Sequence, residues 1–92
     1  MAVLREIDSP KFVLTREVEA EVAPFSGKEN MVVATSKETG TSAAGKNEEE
    51  ALVQLGKMLV IGYQSLNRVP ANRLSPKAAQ QLTIFKELLK MK

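Results

Sequence analysis

The hydrophobic period of this chain changes once, at Asn47. From Phe12 to Val22 apolar residues recur at every second position, with Arg16 as the exception, and downstream of Asn47 they recur at intervals of three and four. A period of two marks a strand with one buried and one wet face, and the longer period marks an amphipathic helix. Strands followed by helices make an α+β fold the simplest reading, a small antiparallel β-meander packed on one helix with a second helix at the C-terminus.

The meander is expected over residues 11–45. Phe12, Leu14, Val18, Ala20 and Val22 fall on one side, with Arg16 as the exception, and Lys11, Thr15, Glu17, Glu19 and Glu21 fall on the other. This predicts one long first strand. Residues 24–30 supply turn chemistry, Met31–Thr35 is a short β-branched strand, and Thr41–Ala44 between Gly40 and Gly45 is a weaker third. Asn47 followed by three glutamates is a capping-box arrangement, and three carboxylates also suit the positive end of a helix dipole. The helix over 47–66 should bury Ala51, Leu52, Leu55, Met58, Leu59, Gly62, Tyr63 and Leu66. A connector over 67–75 leads to Ser75-Pro76, an N-cap and a first-turn proline, which start a helix over 76–91. Its main face is Ala78, Leu82, Phe85 and Leu89.

With 92 residues there is room for one domain and one core. No cysteine is available for a disulfide or thiolate site, and the absence of histidine removes the commonest general base and zinc ligand. Catalytic, metal-binding and cofactor-binding residues are therefore all expected to be missing. Glu17, Glu19 and Glu21 lie on the wet face of their strand, where burial cannot raise a carboxylate pKa. The first residues are too charged for a signal peptide, and the longest apolar run, Met58–Ile61, is far short of the ~18 residues of a membrane span. A soluble cytoplasmic protein without membrane contact is the expectation.

Gly40 to Asn47 nearly matches the phosphate-binding pattern of two glycines, a lysine and a hydroxyl residue. Asn47 replaces the hydroxyl, and the only aspartate, Asp8, lies upstream of it. A glycine turn entering a capped helix explains the same residues.

Two sets of residues are not absorbed by a small core. Val53 and Val60 stand off the main face of the first helix, and Ile84, Leu88 and Met91 form a second stripe on the last. Together they are expected to form a partner or dimer interface, with a homodimer preferred. Charge is also uneven. Residues 1–50 carry six Lys/Arg against ten Asp/Glu, and residues 51–92 carry seven Lys/Arg against the single Glu87. Arg68, Arg73 and Lys77 are candidates for weak, non-specific nucleic-acid contact. They lack interleaved aromatic rings for stacking bases.

Gly40 and Gly45, their spacing, the polar Asn47 cap, Glu50-Ala51-Leu52 and Glu38 ahead of the first glycine carry a family resemblance. The stretch Met31–Leu66 resembles the HicB-like antitoxin family. That resemblance implies a partial RNase-H-like, non-enzymatic domain that oligomerises and neutralises a small toxin protein. Lys46 departs from the family's acidic residue, the first strand lacks its aromatic and glycine pattern, and the tail has room for one helix rather than an appended DNA-binding module. The alternative is an orphan or viral adaptor that uses the same scaffold to bind a host protein or RNA.

Overall fold

The computed structural model describes residues 2–7, 9–25 and 30–92. Its elements run β1 (Ala2–Leu4), β2 (Phe12–Leu14), β3 (Val18–Pro24), β4 (Val32–Ser36), β5 (Ser42–Gly45), α1 (Glu48–Asn67), α2 (Pro76–Leu88) and β6 (Leu89–Met91). A single 3-10 turn, Ala71–Arg73, interrupts the connector between the helices. The fold is α+β, with an antiparallel four-stranded sheet in the order β1-β3-β4-β5 and a separate antiparallel ribbon of β2 and β6.

The four-stranded sheet is covered on one face by α1. Register places Leu4 opposite Val18, Ala20 opposite Ser36, and Val22, Ala34 and Ala43 in one row. These alternate residues point at the helix, and the intervening Val3, Glu19 and Glu21 are exposed on the other face. The alanines on the covered face allow close packing. Ala20, Ala34, Ala51 and Leu55 form a small core cluster where the helix starts. Gly45 is the extreme of this closeness, since a Cβ there would stand 2.8 Å from the Glu50 carbonyl carbon. The larger core cluster joins both sheets and both helices through Leu4, Phe12, Val18, Leu59, Phe85, Leu88 and Leu89.

Both helix starts form as the sequence predicts. The Asn47 side chain accepts from the Glu50 amide at 2.8 Å, and Ser75 accepts from the Ala78 amide at 3.1 Å. The β4–β5 turn also forms, with Gly40 in the left-handed region at φ 72°. Of the expected turn over 24–30, residues 26–29 lie outside the described residues. Across it the Phe25 amide donates to the Met31 carbonyl at 2.8 Å.

Two expectations are corrected. The predicted single strand from Phe12 is two strands in different sheets, broken at Thr15–Glu17. Arg16 breaks the alternation because the strand ends there. Its guanidinium makes two hydrogen bonds, of 2.8 and 2.6 Å, to the Glu38 carboxylate in the β4–β5 turn. The C-terminal helix ends at Leu88, not at Met91, because the last residues pair with β2. Phe12 lies opposite Met91 and Leu14 opposite Leu89. Thr15 completes the exchange, its amide donating to the Leu88 carbonyl at 2.8 Å and its hydroxyl to the Glu87 carbonyl. Helix-end carbonyls need such donors. Here they come from the other end of the chain. Among the described residues, no helix is long and apolar enough to cross a membrane.

Candidate interaction surface

The five residues expected at an interface do not form one patch. Leu88 is wholly buried in the main core and is not on a surface at all. The stripe it was assigned to fails because α2 turns its Phe85 and Leu88 side inward and then becomes strand. Ile84 is half-buried against the same core and also lines a polar hollow with Lys37, Thr39, Gly40, Lys77 and Gln81. Met91 is 67% exposed at the end of the β2–β6 ribbon. Val53 and Val60 share one side of α1, Val53 exposed and Val60, like Ile84, packed in part against the main core.

On α1 the spacing is informative. Val53, Lys57, Val60, Ile61 and Gln64 follow one another at intervals of four, three, one and three, so they share a helix face. That face lies opposite the side that packs on the sheet through Ala51, Leu55 and Leu59. Val53 is 42% exposed and Ile61 52%, whereas Val60 is half-buried. Sequence reasoning missed Ile61, although it lies one residue from Val60. Met58, expected inside, is 41% exposed.

The connector between β1 and β2 supplies a second wall. Ile7 packs so closely on α1 at Gly56 that a Cβ there would lie 2.8 Å from its methyl group. Ser9, buried, then accepts from the Lys11 and Phe12 amides at 3.3 and 3.2 Å, which turns the chain into β2. Between this turn and α1 runs a groove of about 410 Å³ lined by Ser9, Pro10, Lys11, Lys57, Val60, Ile61 and Gln64. Its floor is aliphatic, and its cations are the two lysines. No described carboxylate lines it.

The remaining sequence candidates are scattered. Arg68 and Arg73 are exposed in and beside the connector, and Lys77 sits in the first turn of α2 beside the polar hollow. Nothing brings the three into one stripe. Half of the segment that nearly matches a phosphate loop is strand, its Ser42–Gly45 backbone engaged in the ladder with β4. The polar turn nearby is braced instead. Thr39 is buried, its hydroxyl donates to Thr41 at 2.9 Å, and its carbonyl accepts from Gln81 at 2.9 Å.

Comparison of the chain with protein-family models, with curated proteins and with solved structures finds no match.

Proposed function

We propose that this chain is a non-enzymatic protein-interaction module of the antitoxin-like kind, which presents the outward face of α1 to a partner protein. The observation that carries the reading is that the outward side of α1 exposes aliphatic side chains among its polar ones. One side covers the sheet, while Val53 and Ile61 on the other are exposed to solvent, and Ile61 lines a groove with the half-buried Val60. A helix needing only to cover a small sheet has no need of exposed aliphatic residues there.

The narrower antitoxin-like reading is supported by the stretch 38–52. Glu38, Gly40, Gly45 and Asn47 each have a distinct structural task in a β4–β5–α1 unit: an ion pair, a left-handed turn, a close approach and a cap. Co-expression with the product of an adjacent toxin-sized reading frame tests it. The expected outcome is a stable complex and relief of growth arrest, both weakened by Val53→Glu. A neighbouring product that neither binds nor arrests growth removes the toxin from the reading.

A further inference from the structure

The groove beside α1 opens onto a second surface that shares one of its residues. In the β2–β6 ribbon, Phe12, Leu14 and Leu89 face the core, so the alternate positions Val13 and Lys90 face outward, and Lys11, just ahead of β2, is exposed. Lys92 joins them, its amide donating to the Lys11 carbonyl at 2.9 Å. Lys11 lines the groove and lies next to the ribbon, directly ahead of Phe12. Groove rim and ribbon together therefore present Lys57, Lys11, Lys90 and Lys92 around the aliphatic Pro10, Val60, Ile61 and Val13.

We propose that this basic and aliphatic surface binds an acidic peptide segment of a partner, one that seats an aliphatic side chain in the groove and sets carboxylates against the lysines. The proposal rests on the protein-interaction reading and not on the partner being a toxin. Charge selects the partner. Four lysines without a described carboxylate among these residues favour an anionic chain and reject a cationic one. The groove selects a peptide over a nucleic acid, since its floor is Pro10, Val60 and Ile61, with no ring on which a base can stack. Its volume of about 410 Å³ lies in the range of sites that enclose small groups and suits one or two side chains.

The probe is a fluorescent synthetic peptide with leucines on one helical face and glutamates on the other, titrated with the full chain. A lysine version of the peptide, a uridine-rich RNA and anionic phospholipid vesicles serve as comparisons. The glutamate peptide is expected to bind, more weakly as salt is raised. Lys11→Glu/Lys57→Glu should weaken it by about tenfold and gain affinity for the lysine peptide. Ile61→Ser should weaken the glutamate peptide with little change in salt dependence. All three positions are exposed or at a groove rim, and an unchanged circular dichroism spectrum confirms folding. Absence of peptide binding, equal binding by the charge-reversed variant, or stronger binding to RNA or vesicles overturns the proposal. If a co-expressed partner still binds through Val53 while the peptide does not, the groove assignment falls and the interaction module stands.

Discussion

Single residues in this chain owe their identity to contacts of three different kinds. Gly45 is fixed by space, because α1 begins against the end of β5. Gly45→Ala should cost about 2–3 kcal/mol by overpacking, read as a lower denaturation midpoint. Ser36 is the reverse case. Its hydroxyl is buried beside Ala20 and finds no hydrogen-bond partner among the described residues. An unsatisfied buried hydroxyl costs stability, so Ser36→Ala should raise unfolding free energy by about 1 kcal/mol. A loss on that substitution would mean the hydroxyl is satisfied after all. Arg16 and Glu38 are held by charge. The guanidinium holds the Glu38 carboxyl below its ordinary range, first by hydrogen bonding and then by charge, and Glu38 in turn raises Arg16. A carboxylate with a lowered folded-state pKa stabilises the fold above its unfolded pKa and loses that contribution as pH falls through the folded value. Both side chains are more than a third exposed, so the pair is worth at most ~1 kcal/mol. Arg16→Gln should therefore destabilise slightly at neutral pH and be indistinguishable from the parent well below about pH 4.

At the scale of elements, what is legible in the sequence is what is locally determined. The caps at Asn47 and Ser75, the turn at Gly40 and the start of α1 use side chains a few residues apart, and all are where the sequence predicts them. The failures lie where a distant segment decides. Leu82, Phe85 and Leu89 with Ile84, Leu88 and Met91 read as two helical stripes, yet Leu89–Met91 become β6 because β2, more than seventy residues earlier, offers a ladder. Leu89 is buried in either state, so its hydrophobicity could not distinguish them. The break at Thr15–Glu17 was hidden in the same way, since residues on both sides of it keep one alternation. The candidate surface was half legible: Val53 and Val60 were marked by standing off the main helical face, whereas the second wall of the groove, Ser9 to Lys11, has no pattern of its own. The ribbon makes a direct prediction for the chain end. The Lys92 amide, hydrogen-bonded to Lys11, should exchange with solvent at least about tenfold more slowly than an unprotected terminal amide, measured by nuclear magnetic resonance. Leu89→Ala should cost about 2–4 kcal/mol, and Met91→Ala almost nothing.

For the whole molecule, the question is whether two sheets make two folding units. β1, β3, β4, β5 and α1 form one layered set, and β2, β6 and α2 form another. The main core argues that they are not separable, because Leu4 and Val18 of the first set pack in one cluster with Phe12, Phe85, Leu88 and Leu89 of the second, around Leu59 of α1. The chain path argues the same way: β2 lies between β1 and β3 in sequence, so the second set cannot leave without pulling on both ends of the first. Tyr63, the single tyrosine of a chain without tryptophan, reports on the joint. It projects from α1 and meets the Phe12 ring of β2 edge-on, with centroids 5.4 Å apart. Its fluorescence therefore follows the contact between the sets, while far-ultraviolet circular dichroism follows the helices. The two signals should trace one coincident transition in denaturant, the behaviour of a single cooperative domain. A tyrosine transition well below the helical one would mean that the β2–β6 ribbon detaches first while both helices persist, and Phe12→Leu would then shift the early step alone. In the cooperative case the same substitution moves both curves together, by one and the same free energy, because every element loses its share of one core.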